Sequence, residues 1–203
     1  MKRFKHTAFL IISLLAALAG CGKETTQTTT PENEDPPAGQ NDAKVLVACF
    51  SFTGNTKAVA SSLADLSEGT LYLIEPETPY GDENRTYYDE DTRAYKEQYG
   101  PASARPAIKK SLEDAGTYDV ILLGFPIWYG KAPRVVFSFL DAYSFKGKVV
   151  VPFITSGSTG ITSAASELKT AYPDITWKTG DRLNGKTAEQ LKSWLDASGI
   201  KVN

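Results

Sequence analysis

The chain has 203 residues, with 22 lysines and arginines against 24 acidic residues and a net charge of −2 at pH 7. This balance argues against nucleic acid as a partner. One histidine (His6) and two cysteines (Cys21 and Cys49) leave little scope for imidazole catalysis, histidine-based zinc sites or a disulfide framework.

In chain order, Lys2, Arg3 and Lys5 form a positive start, and residues 8–19 form an apolar stretch too short to span a bilayer comfortably. Leu18-Ala19-Gly20-Cys21 follows and resembles the bacterial lipobox, in which the cysteine is acylated and becomes the new N-terminus. The resemblance implies a signal peptide over 1–20, lipidation at Cys21, and an extracytoplasmic, lipid-anchored domain in a bacterial cell envelope. An ordinary signal peptide with a chance cysteine, or an uncleaved anchor, is the alternative. Cleavage would remove three basic residues and His6, leaving a more acidic chain without imidazole. Cys49 would then have no partner in the chain; it reads as a small apolar residue ending a strand, or as a reactive thiol. Residues 22–43, rich in Thr, Glu, Asn and Pro, cannot bury a core and read as a disordered tether. Fully extended, about twenty residues reach several tens of ångströms.

From Lys44 the pattern alternates strand and helix. Residues 44–50 read as a buried strand and 55–66 as a helix, with Ala58, Val59, Leu63 and Leu66 on or near one face. A short strand is expected at 71–74. A polar, tyrosine-rich section over 76–105 breaks the rhythm, and 108–114 reads as a possible helix. Residues 119–124 form a strongly apolar third strand. Pro133 suits the first turn of the next helix, which carries Val136, Phe139 and Leu140. A fourth strand is expected over 148–154, a helix from about 161 to 172 and a weaker strand near 175–177. The last helix starts at Thr187, where Gln190 completes a capping box; Leu191, Trp194 and Leu195 form its apolar face. Five strands alternating with helices predict an α/β fold with a parallel sheet covered on both faces.

Three loops follow strands one, three and four. The first is Ser51, Phe52, Thr53, Gly54, Asn55 and Thr56, a hydroxyl-rich turn opening a helix. A helix N-terminus offers unpaired N–H groups and a positive dipole end, the ingredients of a phosphate cradle. The second is Pro126, Ile127, Trp128, Tyr129 and Gly130; the third is Ser156, Gly157, Ser158, Thr159 and Gly160. Ligands of open α/β sheets sit beyond the carboxyl ends of the strands where the winding reverses. Taken singly, each loop also has a plainer reading: a capped turn, a surface aromatic pair, a flexible linker. A G-x-x-x-x-G-K-[ST] loop is absent, since Asn55-Thr56-Lys57 follows Gly54, and so is a dinucleotide G-x-G-x-x-G loop after strand one.

The three loops in this order resemble the flavodoxin-like FMN-binding family. The family's phosphate loop, T/S-x-T-G-x-T, is matched by Ser51 to Thr56. The resemblance covers most of residues 44–203. It implies a doubly wound five-stranded parallel sheet of order 2-1-3-4-5, with helices on both faces and FMN as cofactor. It also implies aromatic contact with the flavin from Trp128 and Tyr129, and lining of its other side by the loop at 156–160. Lys57 is the one cation expected near the phosphate, so hydroxyls and amides would carry the load. Electron-carrying members surround the flavin with acids; the second and third loops here contain none, and Lys131 follows Gly130. That departure favours an oxidoreductase passing electrons or hydride between NAD(P)H or a membrane donor and a quinone-like or protein acceptor. A non-enzymatic carrier and a flavin-binding lipoprotein without turnover are the alternatives. The section at 76–105 reads either as a covering helix or as a lid in which Arg93 or Arg105 meets an anionic substrate group.

Overall fold

The computed structural model describes residues 43–85 and 88–200. Strands are β1 (Val45–Cys49), β2 (Thr70–Leu73), β3 (Val120–Pro126), β4 (Val149–Thr155), β5 (Thr176–Trp177) and β6 (Asp181–Arg182). Helices are α1 (Asn55–Ser67), α2 (Arg93–Tyr99), α3 (Arg134–Ala142), α4 (Thr162–Ala171) and α5 (Ala188–Ala197). The expected leader, the lipidated Cys21 and the tether up to residue 42 lie outside the described residues.

All strand pairs are parallel, in the order β2-β1-β3-β4-β5, with β6 also on β4. The two-residue period of the central strands sorts their side chains. Leu46, Ala48, Ile121, Leu123 and Phe125 face α3 and α4, in a core that also holds Phe137, Phe139 and Leu168. Val45, Val47, Cys49 and Leu122 face α1 and α5, against Leu63, Ala64, Leu191 and Leu195. Both faces are covered, so the strands read as continuous apolar runs, VLVAC and VILLGFP. The capping box at Thr187 and Gln190 is formed. Pro133 is the residue capping α3, one place ahead of its expected position inside the first turn.

The structure corrects one part of the expected layout and adds to another. Residues 108–114 are not helical. Ile108 bridges antiparallel to Pro76, Lys109 N–H donates to the Glu75 carbonyl at 2.8 Å, and Leu112 N–H donates to the Tyr143 hydroxyl at 3.2 Å. These amides are bonded outside the segment, which leaves no local ladder for a helix. The fifth strand forms at Thr176–Trp177 as expected, and the structure adds β6, which pairs with β4 beyond it. Pro152 of β4 lies between the two pairings and has no N–H to give, and Gly180 passes so close to it that an added Cβ would lie 2.1 Å from the Pro152 carbonyl oxygen.

The stretch between β2 and β3 is a crossover that passes over β1 to reach its other side, though it contains only α2 and short 3₁₀ turns at Asp82–Arg85 and Ala115–Thr117. Its returning part covers the buried Tyr72, whose hydroxyl donates to the Lys109 carbonyl at 3.1 Å. Its first part, with α2, packs against the loop after β3.

Candidate functional site

The first loop leaves β1 through two bonds to neighbouring strand ends: Phe50 N–H to the Gly124 carbonyl at 3.0 Å, and Ile74 N–H to the Cys49 carbonyl at 2.8 Å. Gly54 then takes φ 89°, a left-handed angle, and caps α1 without any side-chain bond to the helix. A methyl group there would meet nothing within 4 Å, so glycine is required by the backbone angle rather than by space. The first turn of α1 holds no acid, so its positive end stays unneutralised.

The three hydroxyls of this loop differ. Ser51 Oγ is buried and has no hydrogen-bond partner among the described residues. Thr53 is exposed. Thr56 is buried, and its Oγ1 lies 2.8 Å from Thr155 Oγ1 at the end of β4. It works as a strut between the first and third loops. Beneath them, the free thiol of Cys49 is pushed up to about 12 by burial, with the Lys57 cation pulling weakly the other way. The thiol therefore stays protonated and unreactive, which favours the packing reading over a nucleophile.

The second loop begins with Ile127 N–H donating to the Thr155 carbonyl at 3.1 Å. Trp128 and Lys131 then exchange backbone bonds of 3.0 and 2.9 Å around Tyr129 (φ 51°) and Gly130 (φ 78°). Two successive positive φ angles mark a type I′ turn, and a tyrosine held there is strained. The Trp128 ring is buried edge-to-face against Phe50, Phe52 and Tyr80, at 5.3, 5.9 and 4.8 Å. Tyr129 is half-buried, with Tyr88, Tyr95 and Tyr99 at 5.8, 5.6 and 5.6 Å. The two aromatics thus have separate jobs: Trp128 ties the loop to the core and Tyr129 to the crossover.

In the third loop only Ser156 is half-buried; Gly157, Ser158, Thr159 and Gly160 are exposed. Ser156 Oγ donates to the Thr159 carbonyl, and Ser156 N–H donates to Asn184 Oδ1 at 3.2 Å. Arg182 Nη1 reaches the carbonyls of Ser156 and Gly157, each at 3.3 Å. These braces depend on β6 pairing with β4 at Phe153 and Ile154, a register that no local pattern announces.

A cavity of about 220 Å³ joins the first two loops; its walls include Phe52, Thr53, Asn84, Arg85, Trp128 and Tyr129. A second, of about 370 Å³, opens on the β2 side beside Ser51, Phe52, Lys57, Tyr80 and Arg85. Phe52 and Arg85 border both, with the guanidinium 5.2 Å from the ring centre and 2.8 Å from Asp82. Lys57 is therefore not the only cation near the loops, because Arg85 and Arg182 reach them as well. The arginines expected to meet a substrate are otherwise engaged. Arg93 pairs with Glu97 at 2.6 Å, donates to the Thr78 carbonyl and lies 4.4 Å from the centre of the Tyr80 ring. Arg105 pairs with Asp141. Burial, and then the neighbouring Glu97, raise the Tyr80 hydroxyl far above its usual range, so it remains a donor to Glu97. A larger groove, about 730 Å³, lies between α3 and α4, with the buried Arg134 paired to the half-buried Glu167 (3.0 Å) in its wall. None of the three loops lines it.

No curated protein matches the chain. The profile of the flavodoxin family matches residues 44–198. A crystal structure from Bacteroides eggerthii, described as a flavoprotein, is 41% identical with a TM-score of 0.75, covering 79% of this chain and 100% of that one. One from Bacteroides uniformis, described likewise, is 40% identical with a TM-score of 0.72, covering 76% and 98%. A Lactobacillus acidophilus flavoprotein in complex with FMN shares the fold at 22% identity and a TM-score of 0.62, covering 77% and 99%. The chain therefore belongs to the flavodoxin family, whose cofactor is FMN.

Proposed function

We propose that the domain holds FMN across its three loops and works as an electron-transferring oxidoreductase. The observation that carries this reading is the cavity bordered by Thr53 of the first loop and by Trp128 and Tyr129 of the second. The third loop is tied to the same place through the Thr56–Thr155 hydroxyl pair. FMN fits the residues present. A dianionic phosphate suits an uncapped helix start, and Ser51 Oγ is a donor with no partner among the described residues. The N-terminal amides of α1, with Ser51 and Thr53, would hold the phosphate. Phe52, Trp128 and Tyr129 would wall the ring and keep water from it, and the small residues of 156–160 would bring backbone N–H groups to its polar edge. When bound, FMN supplies one- and two-electron redox chemistry. The chain contributes position and field. With no carboxylate in the second or third loop, negative charge gathering on the ring meets less repulsion than beside acidic loops.

Two-electron exchange with a nicotinamide, a quinone-like acceptor or a membrane donor fits that field better than pure carriage between proteins. A lipid anchor at Cys21, supported by the lipobox resemblance, would hold the domain outside the cytoplasm, where a membrane donor is the more accessible reductant. Titration of the purified protein with FMN tests the core of the reading: saturable quenching of flavin fluorescence at one equivalent is expected, and unquenched flavin would overturn it. Steady turnover of a quinone with a reduced donor separates an enzyme from a carrier. Recovery of the Cys21→Ala variant in the soluble fraction would support the anchor.

A further inference from the structure

Gln98, on α2, is buried and lies 30 residues before Trp128 in the chain. Its Nε2 donates to the Trp128 carbonyl at 3.3 Å and to the Ala132 carbonyl at 3.0 Å. These carbonyls flank the type I′ turn that carries Tyr129 and Gly130. The amide orientation follows from its partners: turned over, Oε1 would face two carbonyl oxygens. As placed, Oε1 is buried with no partner among the described residues. A desolvated, unpaired oxygen is a cost that leucine or methionine would not carry. The two donors on the other arm of the amide offset that cost.

The strut is stiff at its base. Thr92 caps α2, Ala94 N–H donates to Asn84 Oδ1 at 2.8 Å, and Arg93 pairs with Glu97 one turn on. We propose that Gln98 is a positioning residue: through the carbonyls of Trp128 and Ala132 it holds the second loop, with Tyr129 in its strained conformation, in the shape that receives the flavin ring. This rests on the FMN reading and adds that the crossover presets the ring's wall before the cofactor arrives.

The test compares wild type, Gln98→Leu and Gln98→Glu. In FMN-free protein, hydrogen exchange at the Trp128 and Lys131 amides should be at least tenfold faster in Gln98→Leu, with exchange in β1 and β3 unchanged. FMN dissociation constants should rise roughly tenfold. In Gln98→Glu the introduced carboxylate faces two carbonyls and cannot donate, so binding should be weakened at pH 8. Burial raises the pKa of that carboxyl; as pH falls through it, the protonated form donates one bond and affinity returns toward the wild-type value measured at the same pH. A residue serving packing alone would show no such reversal. Unchanged exchange at the two amides, or affinities within twofold of wild type at both pH values, would overturn the proposal. A wild type that fails to bind FMN would overturn the functional reading instead, while the exchange data would still report on the strut.

Discussion

The backbone of residues 51–56 is held by a strand end behind, a helix start ahead and one hydroxyl pair to β4, with Phe52 reaching the crossover, at Tyr80 and Arg85, and the second loop, at Trp128. Residues 128–131 are held from a distance, by Gln98 on α2, by the ring of Tyr80 and by tyrosines of the crossover. The first arrangement presents backbone amides, which any sequence possesses, and needs only a glycine at one left-handed angle. The second presents side chains in a strained turn and needs scaffolding. A charged phosphate can be met by the backbone, whereas a broad flat ring needs walls, and these come from the least regular part of the chain.

If that contrast is right, variants should separate stability from binding differently at the two loops. The largest effect is expected from Trp128→Ala, which removes a buried ring packed on three others and should cost about 3–5 kcal/mol in urea unfolding, together with FMN binding. A smaller loss would mean that the second loop does not depend on that ring cluster. Thr56→Val leaves Thr155 Oγ1 buried without its partner and should cost about 1–3 kcal/mol. Cys49 adds a pH signature. Its thiol has an ordinary value of 9.0, raised to about 12 in the folded chain. Between these values the unfolded chain loses a proton that the folded chain keeps. Stability therefore falls as pH rises through this window, by up to about 1.4 kcal/mol per pH unit, and the contribution is intact below it. Urea unfolding of Cys49→Ala at pH 8.5 and 10 should show a shallower decline than wild type.

Ser51→Ala should leave the melting temperature nearly unchanged, because its oxygen has no partner among the described residues, yet raise the FMN dissociation constant about tenfold, roughly 1.4 kcal/mol. Equal losses of stability and affinity would show that Ser51 serves the fold. The smallest shift is expected for Tyr129→Asn. Asparagine tolerates the left-handed angle better, which offsets the lost ring contacts to within about 1 kcal/mol, while flavin affinity drops several-fold. A stability loss well above that would mean that the tyrosine contacts outweigh the strain.

The same contrast explains what was legible in the residues alone. The strands, their two covered faces and the first loop follow from apolar runs and a glycine-bearing turn before a helix, all signals contained in a short window, whereas the strand order comes only with the family resemblance. Gln98, Asn84, Arg85 and Arg182 carry no such signal. Gln98, Arg85 and Arg182 matter through partners far away in the chain, and Asn84 through Ala94 on the next element, all reached only once the crossover or the sheet edge is in place. Residues 108–114 have apolar spacing compatible with a helix, but tertiary bonding claims their amides.

Pro152 and Gly180 have a consequence beyond the pocket. Beside them the edge of the sheet is in two pieces of two residues each, β5 and β6, separated by residues 178–180. A foreign chain seeking to zip onto this border finds too short a run of matching amides to grip. The interruption thus blunts one of the sheet's two edges as a template for self-association, and the strand beyond it brings Arg182 to the carbonyls of the third loop.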